Sequence, residues 1–408
     1  MISFIRKATL TLALLLGCTA ANAQQAPETV AELWEIIQRQ QAEIDALRAE
    51  IGQTRQAVDD TSEKVEATGE FVETLAVSAG QPSQTTIGGY GELHYTQLES
   101  DAGDSDEIDF HRFVLFVNHE FSDRVRFFSE LELEHSLAGD GAPGEVELEQ
   151  AYAEFQLTED TVARTGLFLL PIGILNETHE PPTFYGVERN DVESIIIPST
   201  WWEAGAGAAG RFGSGFSWDV AAHSGLAMPT EGGSAFRVRS GRQKVAEAVA
   251  SDPAYTARLK YTGIAGLELA ASYQYQADPS QQPGDGLDEG HLLTAHLAWQ
   301  QGAFGLRALY AGWDFKGDAV ESAGADSQDG WFIEPSFRLS EQWGVYARYE
   351  DIDAAREQDR FTQAQFGFNY WPTPGVVLKM DFRRREHELP GLAELDFDAI
   401  DLGFGYNF

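Results

Sequence analysis

From residue 85 onward, apolar and polar positions alternate in short stretches separated by clusters of Gly, Asp, Pro and Ser. Val125, Phe127, Leu131 and Leu133 share one parity, while Arg126, Glu130, Glu132 and Glu134 share the other. Tyr255, Ala257, Leu259 and Tyr261 alternate with Thr256, Arg258 and Lys260 in the same way, and Trp343, Val345, Ala347 and Tyr349 with Tyr346, Arg348 and Glu350. A period of two predicts β-strands. One face is aromatic or aliphatic and the other charged, which is the pattern of a strand between lipid and a water-filled lumen. A β-sandwich also alternates, but it hides its apolar face between two sheets.

The C-terminal stretch is the most regular. Ile400, Leu402, Phe404, Tyr406 and Phe408 fall on one face, and Ala399, Asp401, Gly403, Gly405 and Asn407 on the other. The order of Asp401, Gly403, Tyr406 and the terminal Phe408 resembles the signal by which bacterial barrel proteins are recognised for outer-membrane assembly. The predicted fold is all-β: a transmembrane antiparallel β-barrel over residues 81–408. Roughly 20 residues per strand with its connection predicts about 16 strands, with 14 and 18 as neighbours, enough to leave an aqueous channel.

One segment breaks the alternation for longer than any other. Residues 171–202 carry Pro171, Pro181, Pro182 and Pro198 and cannot form a membrane strand. Ile195, Ile196, Ile197, Trp201 and Trp202 crowd its end, and an exposed loop gains nothing from so many large apolar side chains. The expectation is a loop that folds inward and narrows the channel, against a plain surface loop.

Residues 24–80 follow a different period. Val30, Ile37, Ile44, Ile51, Val58, Val65 and Val72 are spaced by sevens, with Leu33, Gln40, Leu47, Thr54, Thr61, Thr68 and Leu75 three residues after each. This predicts an α-helical coiled-coil stalk in the periplasm. The polar fourth positions weaken the two-stranded signal, and the expectation is a homotrimer. Ahead of the stalk, Arg6 and Lys7 precede the apolar run from Ala8 to Leu16, and Ala21-Asn22-Ala23 supplies a cleavage site, so residues 1–23 read as a signal peptide. A competing reading takes Leu15-Leu16-Gly17-Cys18 as a lipoprotein box. Cleavage after Ala23 removes the only cysteine, which excludes disulfides, thiolate metal sites and cysteine nucleophiles.

Composition fits a barrel with aromatic girdles: 25 Phe, 13 Tyr, 9 Trp and 40 Gly, with no run of 18 apolar residues after the signal. Charge complicates it. Residues 81–408 hold 53 acidic and 22 basic side chains, a net of −31.

Four stretches carry a family resemblance: Gly88-Gly89-Tyr90-Gly91-Glu92-Leu93, Asp109-Phe110-His111-Arg112-Phe113, Gly166 to Gly173, and Trp201-Trp202-Glu203. Together they resemble the phosphate-selective porin O and P family over residues 85–408. The resemblance implies a 16-stranded trimer with a constriction loop inside each pore. It implies passage of anions such as phosphate, which demands Arg or Lys at the constriction; the acidic total departs from that.

On parity, Arg258, Lys260, Arg338, Arg348, Lys379, Arg383 and Arg385 point inward and could form a basic ladder. Glu130, Glu132 and Glu134 also point inward, as do Glu154, Glu268, Glu334 and Asp381, so the other reading is a mixed lumen of paired charges with a transverse field. Arg237, Arg239, Arg242 and Lys244 form a second basic cluster, read as a solvated loop. Gly205, Gly207 and Gly210 match a dinucleotide-binding spacing without the βαβ unit it needs, and read as small wall residues beside an inward loop.

The nine His are scattered without metal-ligand spacing, so no metal or cofactor is expected; His111, His119 and His135 are placed in the wet lumen or at its rim. Gly213-Ser214-Gly215 lacks a nucleophile elbow, and no catalysis is expected. The function read from the chain is passive diffusion of small hydrophilic solutes or ions through the outer membrane of a Gram-negative bacterium. Alternatives are a cation-preferring general porin and an envelope-tethering barrel. Expected partners are outer-membrane lipid and lipopolysaccharide, other copies of the chain, the solutes and, through the stalk, peptidoglycan; nucleic acid is not among them.

Overall fold

A computed structural model describes Trp34, Gln38, Gln41 and residues 84–408. The chain divides into two units, residues 1–83 and 84–408. In the first, Trp34, Gln38 and Gln41 are helical. The signal peptide, the rest of the stalk and its expected trimer lie outside the described residues.

The second unit is a closed barrel of sixteen strands. In chain order they are β1 (Thr85–Ser100), β2 (Ser105–Ser122), β3 (Val125–Glu134), β4 (Val146–Gln156), β5 (Thr161–Leu169), β6 (Trp202–Phe212), β7 (Phe216–His223) and β8 (Ala254–Tyr261). The second half comprises β9 (Leu267–Gln276), β10 (Glu289–Gln301), β11 (Phe304–Lys316), β12 (Ser327–Arg338), β13 (Trp343–Asp353), β14 (Arg360–Thr373), β15 (Val376–His387) and β16 (Phe397–Asn407). Each strand pairs antiparallel with its neighbours in sequence, and β16 closes on β1 from Tyr90↔Asn407 to Ser100↔Phe397. The terminal residue takes part: Phe408 N donates to Gly89 O at 2.9 Å, and Gly89 N donates to Phe408 O at 3.1 Å. Closure leaves no unpaired edge, as a lipid environment requires.

Alternation sorts the faces as the sequence predicts. Leu131, Tyr255, Leu259, Tyr273, Tyr349, Phe382 and Leu402 stand exposed on the outside, while Glu130, Glu132, Arg258, Arg348, Asp381 and Asp401 are buried inside. No helix among the described residues is long and apolar enough to cross a membrane. Short turns close one end of the barrel, and long connections, chiefly residues 170–201 and 224–253, gather at the other, the arrangement of periplasmic turns and extracellular loops.

The lumen is not open throughout. Leu292 of β10, Leu309, Trp313 and Phe315 of β11, Phe332 of β12, Ile352 of β13 and Phe361 of β14 point inward and pack with Ile172, Ile196, Ile197 and Trp201 of the β5–β6 loop and Leu226, Met228 and Phe236 of the β7–β8 loop. The two long loops therefore bury an apolar plug against one half of the wall, where the sequence reading expected water. The inward-loop expectation for residues 171–202 holds, and the five large apolar residues at its end include three members of this plug.

Side-chain bonds shape the β5–β6 loop. Asn176 Nδ2 donates to Leu170 O at 2.8 Å and Trp201 O at 2.9 Å, and its Oδ1 accepts from Trp201 N at 2.6 Å, which pins the two ends of the loop together. Buried Glu193 accepts from the backbone N–H of Ile174 at 2.6 Å and Leu175 at 2.7 Å. Gly173 makes that approach possible: its φ is +75°, and a Cβ there would meet Glu193 Oε1 at 2.3 Å. Gly205, Gly207 and Gly210 serve a different neighbour from the one expected. A Cβ on each would strike β7, at Ala222 O, Val220 O and Trp218, rather than the inward loop.

Candidate functional site: the lumen cavity

The plug leaves a cavity of about 410 Å³ on the far side of the lumen. Glu92 and His94 of β1, His111 and Arg112 of β2, Glu134 of β3, Glu147 and Glu149 of β4 and Arg383 of β15 line its wall. Trp202 of β6 adds to the wall, and the loops supply the rest, including Glu188, Arg189, Asp191, Ser199 and Thr200 from the β5–β6 loop and Arg239 and Arg242 from the β7–β8 loop.

The predicted ladder points inward, but carboxylates or carbonyls hold most of it. Arg258 Nε donates to Asp219 at 2.9 Å, and its Nη1 pairs with Glu177 of the inward loop. Lys260 lies 3.6 Å from Glu268. Arg348 bonds Glu350 at 2.8 Å and Glu334 at 3.2 Å, and also Gln365. Arg383 makes two bonds to Asp401, at 2.7 and 3.0 Å. Arg385 meets Asp191 at 2.6 Å. Lys379 donates to Gly186 O at 2.6 Å over the Phe184 ring, and Arg338 stacks on Trp371 at 3.7 Å. Of these seven, only Arg383 lines the cavity, and Asp401 neutralises it. The ladder is a set of ties, some between wall strands and some, at Arg258, Arg348, Lys379 and Arg385, from the wall to the inward loop.

The predicted acids behave alike. Glu130 accepts from Gln150 at 2.6 Å and lies 3.3 Å from His179 of the inward loop. Glu132 lies 3.3 Å from Arg112 Nη1, and Glu134 lines the cavity directly. Around the cavity, Glu92 is 2.7 Å from Arg112 and 3.3 Å from His94, and Glu147 pairs with Lys244. Glu188 meets His94 Nδ1 at 2.8 Å. Burial works to raise the Glu188 carboxyl, but the His94 ring holds it well below the ordinary carboxylate range.

Three arginines differ. Arg189 Nη1 donates to Thr200 Oγ1 at 2.9 Å, while its Nε and Nη2 are buried with no acceptor. Arg239 Nη1 donates to Ser199 O at 2.8 Å, and Arg242 Nη1 to Thr200 O at 2.5 Å. Arg242 also lies over the Trp202 ring at 5.6 Å. A backbone carbonyl orients a guanidinium without cancelling its charge, and among the described residues none of the three forms an ion pair. Burial, and after it the Arg242, Arg189 and Arg112 cations, lower Arg239 to about 9; water on its exposed surface opposes that shift, and the group stays cationic at neutral pH. The cluster at Arg237–Lys244 is therefore not a solvated loop. Arg237 pairs with Asp359 at 3.4 Å, Lys244 with Glu145 and Glu147, and the middle two enter the cavity. Arg189 carried no sequence signal beyond its place in the proline-rich loop.

The cavity is mixed in charge, with Glu92, Glu147 and Glu188 tied to local cations, Glu134 on the same wall, and three loop guanidinium groups that form no ion pair among the described residues. A family model described as Gram-negative porin matches residues 186–388. An uncharacterized protein of Aquifex aeolicus is 30% identical over 345 residues, 74% of this chain and 76% of that protein. Among solved structures, the outer membrane channel DcaP of Acinetobacter baumannii superposes with a TM-score of 0.53 at 13% identity, covering 79% of this chain and 97% of that one. Pseudomonas putida OprB gives 0.55 at 12% identity, covering 79% and 94%, and Salmonella typhi OmpF in complex with daunomycin gives 0.54 at 12%, covering 79% and 97%. At such identities the likeness is one of fold. The closed sixteen-strand barrel, the inward loop and the match to the Gram-negative porin model over residues 186–388 together support a general outer-membrane porin, a channel for passive diffusion.

Proposed function

We propose that this channel favours small anions, phosphate among them, and that its preference is set at the cavity by Arg189, Arg239 and Arg242. The observation that supports the reading is the absence of ion pairs at these three guanidinium groups among the described residues, whereas Arg112 and Arg383, the wall arginines that line the same cavity, are both paired with carboxylates. An anion entering the cavity exchanges water for preorganised donors, and its charge is met in a confined space of reduced dielectric. Passage is downhill and involves no covalent chemistry. Size is limited by the inward loop together with the β7–β8 loop. The heptad pattern supports a homotrimer with the stalk in the periplasm, in reach of peptidoglycan.

A cation-preferring channel is the competing reading, favoured by the acidic total and by Glu134, Glu147 and Glu149 at the cavity wall. The two are separated by the reversal potential of the purified protein in a planar bilayer under a KCl gradient, repeated with phosphate added. Anion selectivity with partial block by phosphate supports the proposal; cation selectivity without block removes it.

A further inference from the structure

Beside the cavity, β1 and β2 fall out of step. Glu92 pairs with Arg112, but His94 pairs with Asp109, so β2 carries one residue more than β1 across this interval. Such a bulge reverses the parity of the strand on either side of it. Asp109 and His111 thereby lie within bonding reach of His135, the residue that follows β3, although Arg112 also reaches Glu92 and Glu132 inside the lumen. His135 N donates to His111 O at 3.1 Å, which fixes the two backbones.

The three side chains converge on one point. His111 Nδ1 is 3.1 Å and His135 Nδ1 is 2.8 Å from the same oxygen, Asp109 Oδ2, and the three donor atoms all lie within 4.8 Å of one another. Bonds of about 2.0–2.2 Å from one cation to imidazole nitrogen and carboxylate oxygen place neighbouring donors roughly 3 Å apart, so this spacing needs little adjustment. All three side chains are partly open, and His111 lines the cavity, so an ion has a path in. His94 stacks on His111 at 4.8 Å and orients it, but its own nitrogens are taken by Glu188 and Glu92. A second convergent group, Glu130, Glu149 and His179, is fully buried between wall and loop and reads as a latch with no route for an ion.

We propose that Asp109, His111 and His135 form a binding site for a divalent first-row transition cation in the vestibule of the channel. Two imidazoles and one carboxylate favour Zn²⁺, Co²⁺ or Ni²⁺ over Ca²⁺ or Mg²⁺, which require shells of oxygen. Binding moves each imidazole proton from Nδ1 to Nε2, so neutral His ligands release no proton. Three protein ligands leave further positions to water or to a passing anion. The site stands whichever ion the channel prefers.

The test is calorimetric titration of the purified full-length protein with Zn²⁺, repeated in excess Mg²⁺. The expected result is one Zn²⁺ per chain, unaffected by Mg²⁺, with affinity reduced about 100-fold in Asp109→Asn and His135→Gln. His119→Gln, altered at the far end of β2 beside Thr85, keeps wild-type affinity. Normal conductance in the presence of a chelator shows that each variant has folded. The wild-type protein gives an independent reading, since bound Co²⁺ should show the visible absorption of an imidazole-ligated ion. No stoichiometric Zn²⁺, displacement by Mg²⁺, unchanged affinity in folded variants, or Co²⁺ without those bands would each overturn the proposal.

Discussion

Arg242 donates to the carbonyl oxygen of Thr200 at 2.5 Å and keeps its Nε buried without an acceptor. The bond joins the two long loops and faces a full positive charge into the cavity. An arginine held by a carboxylate, such as Arg383 on Asp401, is anchored equally well but contributes little field. On the proposed function, Arg242 and Arg383 differ in role through this difference in anchor: the first sets the preference and the second builds the wall.

Arg348 belongs to the builders. It is buried at 3% exposure among Glu334, Glu350 and Gln365. Arg348→Gln leaves two buried carboxylates without their cation, so unfolding in detergent should show a loss of about 3–5 kcal/mol. The reversal potential should stay near the wild-type value, because Arg348 does not line the cavity.

The apolar plug can be tested through Trp313. Its ring stacks on Phe315 at 5.0 Å, lies 6.2 Å from Trp201, and its Nε1 donates to Ile196 O at 3.0 Å. Trp313→Ala should cost about 3–5 kcal/mol and release the end of the inward loop. Single-channel recording should then show a larger and noisier conductance than wild type.

Glu188 gives a pH dependence. Its pKa in the folded chain is depressed, so its pairing with His94 contributes stability above the unfolded carboxylate value of about 4.3 and loses it as pH falls below that toward the depressed folded value. Its side chain is about a third exposed (35%), and lumen water moderates the effect. Acid titration of channel closure or thermal stability should show a transition below about pH 4 that is reduced in Glu188→Gln.

How far the chain could be read follows the reach of its periodicities. Glu130, Glu132, Arg258 and Arg348 were legible as inward because strand parity has a period of two and their own strands carry no extra residue there; the irregularity beside Glu130 adds its residue to β4. Their pairing was not, since Glu177 reaches Arg258 only through the path of the inward loop, 81 residues away. His111 was placed in the wet lumen or at its rim and does line the cavity, but its meeting with Asp109 was hidden by the bulge, which exists only in the register between two strands. The plug left a signal that parity alone misjudged. Leu309, Ala311, Trp313 and Phe315 are apolar on the inward side of β11 while Tyr310 faces out, and apolar faces on both sides of a strand imply cover on both. Arg189, Arg239 and Arg242 sit in loops without period, so nothing local distinguished them from solvated cations.

The central claim is that three loop arginines, rather than the wall ladder, give the cavity its sign. The most direct test compares reversal potentials under a KCl gradient for the wild type and the combined Arg189→Gln, Arg239→Gln, Arg242→Gln variant, at low ionic strength where screening is weakest. Expected are anion selectivity in the wild type and a shift to cation selectivity in the variant, with comparable conductance. A wild type that already prefers cations, or a variant whose reversal potential does not move, would contradict the account.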